Sequence, residues 1–292
     1  MRMRRSLSNL YYSVIRPILK NRRAFVGFVI LMGFVIMATV GPLVVPLNLK
    51  TDWSKRFKPP SLEHPLGTDY GGRDIFQQIV HGSRDVLLIA ALSALFAILL
   101  AVTIGITSGL VGGVVDVVLT GITDIFLTIP SFPVMMSIAA VLRVSDPFSF
   151  AALISMWMWA GLARSIRAEV ASLKQKEFIE AARLLNLGTF HIVFRELMPI
   201  IMPYIAINFI TMMRAAITAS VGIMFLGVVP FKITHWGVML NMAMFQYGAV
   251  YVPEGLHYAL APLMCIVLLE YGAVNFSHGL EEIFNPRLKT YE

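Results

Sequence analysis

The sequence predicts an all-α polytopic membrane protein with six transmembrane helices, and three observations carry that reading. Hydrophobic residues make up 57% of the chain and charged residues 14%, against about 45–50% and 25% in a soluble domain. Uncharged apolar runs recur along the chain at roughly the 20-residue length that lets a helix cross a hydrocarbon layer about 30 Å thick. The formal charge is +7, with the basic residues gathered at the edges of those runs, as in a protein that faces anionic lipid and cytoplasm. The same numbers exclude an ordinary soluble enzyme, a disordered chain and a fibrous one. With no exposed basic patch, nucleic acid is not an expected partner. The single cysteine, Cys265, lies in an apolar run and excludes a disulfide framework and any cysteine-based metal site.

Taken in order, residues 1–23 form a basic cytoplasmic segment with an amphipathic pattern. Leu7, Leu10, Tyr11, Val14, Ile15, Ile18 and Leu19 recur at one-face helical spacing, which suits a helix lying in the membrane interface, kinked by Pro17. The first transmembrane helix is placed at 24–46; its apolar run is too long for a signal-peptide core, so it is read as retained. An external loop follows at 47–85. The main membrane domain spans 86–276, with helices near 86–110, 114–142, 147–163, 199–228 and 256–276, and with a cytoplasmic loop at 166–198. Residues 277–292 form a cytoplasmic tail.

Charge counting orients these spans. The first 23 residues, the stretch from Arg164 to Glu196 and the tail together hold 15 Lys and Arg, and the opposite face holds eight. The positive-inside rule therefore places both termini and the 166–198 loop in the cytoplasm.

The chemistry of an enzyme is missing. No GxxxxGK phosphate loop, HExxH or GxSxG motif occurs, and the six histidines show no metal-ligand spacing. Asp116 and Asp124 lie eight residues apart, about 12 Å along a helix, too far to share a proton as an intramembrane aspartyl protease requires. Neither catalysis nor a cofactor is expected.

The cytoplasmic loop is more informative. Residues 177–185 are helix formers, Asn186-Leu187-Gly188 breaks the helix, and Thr189 is placed as the N-cap of a second helical stretch reaching Pro199. Ala181 and Ala182 thin the first helix, so that a partner can approach closely.

Glu180-Ala181-Ala182 with Gly188 and Pro199 resembles the EAA loop of ABC-importer membrane subunits. Pro59-Pro60-Ser61-Leu62-Glu63-His64-Pro65-Leu66-Gly67-Thr68-Asp69, Gly72-Arg73-Asp74, Ser83-Arg84, Phe225-Leu226-Gly227, Trp236-Gly237-Val238-Met239-Leu240 and Asn285-Pro286-Arg287-Leu288 extend the likeness. They do so over nearly the whole chain, to the second permease subunit of the dipeptide/oligopeptide-type importers. The resemblance implies the type I permease fold of ABC importers. It also implies a coupling helix that docks on an ATP-binding subunit through Glu177, Glu180, Ala181, Ala182, Arg183, Asn186, Gly188 and Pro199. The implied partners are a homologous permease subunit, two ATP-binding subunits that hydrolyse ATP, an extracytoplasmic solute-binding protein and the lipid membrane. The implied solutes are oligopeptides or, as in some relatives, oligosaccharides.

The chain departs from the family pattern at Asn186, where glycine is usual, at Met198 before Pro199, at Ser220, where a glutamate is usual, at Arg214 and at His278. Asn is the next-best left-handed residue, so the turn survives. Charges within the spans face a cavity or a partner. Asp116 is read as a solvated helix end and Asp124 as a structural acid bonding to neighbouring helices, while Arg214 and Glu270 are read as a mid-membrane pair; Asp124, Arg214 and Glu270 are the candidates for the translocation path. The alternative function is a secondary transporter driven by an ion gradient.

Overall fold

The computed structural model describes residues 16–284, and among these the chain is helical, with one isolated antiparallel bridge between Thr68 and Asp74. The helices are α1 (Arg16–Lys20), α2 (Arg22–Thr39), α3 (Gly41–Val44), α4 (Ile75–Val111), α5 (Gly113–Thr128), α6 (Ser131–Leu142), α7 (Pro147–Leu173) and α8 (Glu177–Leu184). After these come α9 (Thr189–His191), α10 (Met198–Phe225), α11 (Trp236–Asn241) and α12 (Leu256–Phe284). A π-helical turn, Ile192–Leu197, joins α9 to α10. Residues 1–15 of the amphipathic segment and the Asn285-Pro286-Arg287-Leu288 motif lie outside the described residues.

Among the described residues, four helical stretches are long and apolar enough to cross a membrane: Arg22–Val44, Ile75–Val111, Thr189–Phe225 and Pro253–Phe284. A fifth arises if α5 and α6, bent by 83° at their break, form one span. The break falls at Ile129-Pro130. Proline cannot donate the hydrogen bond that would continue α5, and the residue before it is pushed to an extended backbone, as Ile129 shows with ψ 128. The remaining predicted span, 147–163, is part of α7. Its uncharged stretch ends at Ala163, and the same helix runs on through Arg164, Arg167 and Glu169. It is also the helix with many buried residues, Phe150, Ile154, Trp159, Ile166 and Val170 among them. The span predicted from residue 86 begins earlier, since α4 starts at Ile75 and takes in Arg84 and Asp85.

The chain divides into two compact units, one of residues up to 89 and from 217 onward, the other of residues 90–216. In the first unit α2 packs along α12. A Cβ on Gly27 would sit 2.3 Å from the Phe276 backbone nitrogen, and one on Gly279 would sit 2.4 Å from that of Ala24. The two backbones therefore touch, the close approach that small residues permit between membrane helices. Phe28 and Phe276 flank the contact with ring centroids 6.1 Å apart. Asn21 caps α2, accepting from Ala24 N at 2.9 Å, while its amide donates to Glu282 at 2.6 Å. Arg23 pairs with the same carboxylate at 2.7 Å. The break between α1 and α2 thus falls at Asn21; Pro17, the predicted kink, lies within α1.

The second unit is built around α7. Ala94, Ala97 and Ala101 of α4, Trp159, Ile166 and Val170 of α7, Ile179 and Ala182 of α8 and Ile201 and Ile205 of α10 form one buried cluster. The turn from α4 to α5 is made by Gly112 and Gly113, both with positive φ (74° and 59°), a conformation that costs glycine little.

Candidate functional site

The segment between α7 and α10 folds around a short helix, α8. α7 ends at Leu173, three residues turn the chain, and α8 begins at Glu177. Glu177 and Glu180 sit in its first turn and Arg183 in its last, each opposite in sign to the partial charge of that helix end. Asn186 ends the segment in the left-handed region with φ 54, its N–H bonded to Arg183 O at 2.8 Å and that of Leu187 to Ala182 O at 3.0 Å. The turn expected there survives the loss of glycine. Gly188, with φ −62, is the N-cap of α9, so the cap falls one residue before the predicted Thr189.

The two alanines divide their roles. Ala182 and Ile179 are buried and seat α8 on the core of its own unit. Glu177, Glu180, Ala181, Arg183 and Gly188 are exposed. Only Ala181 of the pair is thus open to a partner; the close approach assigned to Ala182 is made inside the chain. Around the exposed face stand Phe178, Leu184 at 83% exposure, Leu185, and Phe190 with Phe194, whose rings stack with centroids 5.9 Å apart. An apolar patch of this kind, rimmed by charge, marks an interaction surface. Pro199 does not join the patch. It lies in the first turn of α10, where the π turn before it, closed by Met198 N on Val193 O, absorbs the missing N–H.

The charges within helices find partners. Asp116 sits in the first turn of α5, the helix end expected of it, but it is bonded there, accepting from Arg167, Ser108 and Thr120. Asp124 accepts from Arg164 of α7, in keeping with the structural role assigned to it. Arg164 and Arg167 are three residues apart and so share a face; acids eight apart on α5 meet them. The sequence offered this spacing, but only on two different helices. Thr218 donates to Glu270 at 2.9 Å. These two, with Phe225, Leu240, Met244 and Leu260 among others, line an otherwise apolar cavity of about 610 Å³ in the first unit. Arg214 lies on α10 in the second unit.

The 59–74 signature closes on Asp69, which is fully buried. Its carboxylate accepts from Gly71 N at 2.8 Å, Arg73 N at 2.9 Å, Arg73 Nε at 2.8 Å and Gln78 Nε2 at 3.0 Å. His64 Nδ1 lies 2.7 Å from Asp74, and His257 Nε2 lies 2.9 Å from Thr68 O, which ties the loop to α12. Tyr70 stacks on Tyr247 at 4.1 Å, and the Arg56 guanidinium stands 4.1 Å from the Tyr70 ring centre. Asp52, at the surface of this loop, is held below the usual carboxylate range by hydrogen bonds from Ser54. Lys232 pairs with Asp85 at 3.0 Å. Nearby His235 caps α11 through Gly237 N at 3.2 Å, and burial pushes its imidazole down to about 3.

Comparison with known proteins places these features. The family described as "Binding-protein-dependent transport system inner membrane component" matches residues 101–289. The family described as "N-terminal TM domain of oligopeptide transport permease C" matches residues 10–60. The dipeptide transport system permease protein DppC of Alkalihalophilus pseudofirmus is 28% identical, over 93% of this chain and 88% of its own length. The oligopeptide transport system permease protein OppC of Bacillus subtilis is 28% identical, over 92% and 87%. The metal-staphylopine import system permease protein CntC of Staphylococcus aureus is 30% identical, over 95% and 94%.

Proposed function

The chain belongs to the binding-protein-dependent transport system inner membrane components, an ABC-importer permease of the peptide transport family, and from that premise we propose how it works. It pairs with a homologous permease to enclose a translocation path. A solute-binding protein delivers solute on the outer side, and two ATP-binding subunits dock from the cytoplasm. On ATP binding these subunits push on α8, and the membrane helices rock between outward-open and inward-open states.

The observation that carries this reading is the exposed face of α8, with Glu177, Glu180, Ala181 and Arg183 set among Phe178, Leu184 and Leu185. Because Ile179 and Ala182 anchor the helix in the same core as α4, α7 and α10, a push on α8 moves a packed body and is not absorbed by a soft loop. Asn186 and Gly188 shape the turn that follows, and Pro199 shapes the entry to α10. Asp124, Arg214 and Glu270 are the charged positions we assign to the path or to pairing within the membrane. The termini and α8 face the cytoplasm.

The relatives are named for dipeptides, oligopeptides and a metal-staphylopine complex. A peptide-like solute is therefore favoured over an oligosaccharide. Glu180→Arg tests the coupling: the complex should assemble with its ATP-binding subunits weakened or lost and ATP-driven uptake abolished. Unchanged uptake by a fully assembled variant would refute the role given to α8.

A further inference from the structure

The core shared by α4, α7, α8 and α10 takes no buried residue from α5. Thr123 is the one buried residue among the 16 of that helix. Both ends of α5 are breaks: Gly112 and Gly113 with positive φ before it, and the 83° bend to α6 after it. The helices it lies on are pressed together far more closely. A Cβ on Gly105 of α4 would lie 2.8 Å from Ala163 O of α7, and one on Gly109 would lie 2.8 Å from Arg167 O. These backbones touch, so α4 and α7 form one rigid block, and Ile179 and Ala182 seat α8 in it.

Side-chain contacts fasten α5 to that block, and the firmest is ionic. Asp116 accepts from Nε and Nη2 of Arg167, the second at 2.5 Å, and from Ser108 Oγ. One carboxylate thus ties α5 to both α7 and α4. Arg167 lies between Ile166 and Val170, which are fully buried, so its backbone is fixed in the block while its side chain reaches out. Arg164 holds Asp124 by Nη2 alone, and the side chain of Asp124 is 54% exposed where that of Asp116 is 22%. A two-pronged guanidinium contact fixes direction as well as distance, and a single open one fixes little. Phe126 packs on Trp157 and Trp159 with ring centroids 5.8 and 5.2 Å away, an apolar contact with no such directionality.

Resting on the importer reading above, we infer that Asp116 is a positioning residue: through Arg167 it makes α5 follow the block when the ATP-binding subunits push on α8. The block carries Arg167 with it. The two-pronged grip, braced by Ser108 of α4, turns a movement of α7 into a movement of α5. The glycine turn at 112–113 is a soft link, so the chain connection alone does not pass that movement on. Without the carboxylate, α7 shifts beneath α5, and the stroke stops at the block while ATP is still hydrolysed.

The test is a pair of spin labels in the assembled complex, with Cys265, the chain's one cysteine, replaced by serine. Val114→Cys on α5 and Met156→Cys on α7, both exposed, carry the labels. Pulsed electron paramagnetic resonance measures their separation without nucleotide and in the complex trapped with ATP and vanadate. With Asp116 present the separation should be the same in both states. In Asp116→Asn it should differ between the states by about 2–5 Å, the scale of element shifts in switching proteins, with ATP hydrolysis retained. A purely structural role would move the separation equally in both states. Asp116→Glu should restore a single separation. Arg167→Lys, which keeps the charge and loses the fork, should behave as Asp116→Asn, and it decides the matter if that variant fails to assemble. Equal separations in both states for the two variants would overturn the inference, as would a separation that already differs with Asp116 present. ATPase activity co-purifying with the Cys265→Ser complex is measured beside it. Its absence would refute the importer reading and the inference with it; its presence with equal separations in the variants would refute the inference alone.

Discussion

Asp69→Ala removes the acceptor at the centre of the loop between α3 and α4. Four hydrogen bonds end on that carboxylate, and the groups left behind cannot turn to water. The Arg73 side chain is 11% exposed, and Gln78 is buried at 1% with its Oε1 already lacking a partner. Removing one member of a buried ion pair costs about 3–5 kcal/mol, because the other charge stays buried and unpaired. For a unit of about 150–250 residues, each kcal/mol shifts the melting temperature by about 2–4 °C, so the variant should melt about 6–20 °C lower. Asp69→Asn keeps an oxygen for the Gly71 and Arg73 amides and loses the charge facing Arg73. It should cost about 1.5–3 kcal/mol, the worth of a hydrogen bond to a charged group. Thermal unfolding of the purified complex in detergent measures both variants. Trypsin, which has Lys50, Lys55, Arg56 and Lys58 within reach in the loop, reports whether the loss is local. Melting within about 1 °C of the native protein, with trypsin resistance unchanged, would refute the view that Asp69 organises the loop.

Three further outcomes are expected. Gly27→Val should destabilise the α2–α12 contact by at least the 1–3 kcal/mol typical of overpacking, since its Cβ would meet backbone at 2.3 Å; Gly33→Val, with nothing within 4 Å, should not change the melting temperature. His235 has a folded pKa near 3, held there by burial, so only the unfolded chain takes up a proton as pH falls below about 6.5. Its contribution is complete above that pH and is lost toward pH 3, amounting to about 2 kcal/mol by pH 5; His235→Asn should flatten that slope in a pH series of melting curves, and parallel slopes would count against it. Ala182→Leu should lower the melting temperature, because the site is 5% exposed and packed; Ala181→Leu should leave it unchanged and weaken co-purification of the ATP-binding subunits.

The helical, membrane-embedded class was legible in composition and run length, because lipid sets the same demand on every spanning segment. The end of α8 was legible too, since Asn186 is among the few residues that tolerate a left-handed backbone and local energetics decided the turn. Span boundaries were less so. The α4 helix starts eleven residues before the apolar run because Asp74 accepts from Gln77 N at 2.9 Å and Trp236 donates to Ile79 O at 3.1 Å, and a hydropathy scan registers neither contact. The same limit hid α7, whose charges looked like the start of a cytoplasmic loop but continue the helix, matched by acids of α5.

By itself, then, the sequence determined that the chain is helical and membrane-bound, where the short helix α8 lies, and which residue ends it. These follow from solvent and from local backbone preference, which act on neighbours in the chain. Only the tertiary structure decided which alanine of α8 faces outward and that Asp116 and Asp124 are bonded to Arg167 and Arg164. Those are properties of pairs of helices, and no single helix's spacing encodes which neighbour its charges will meet.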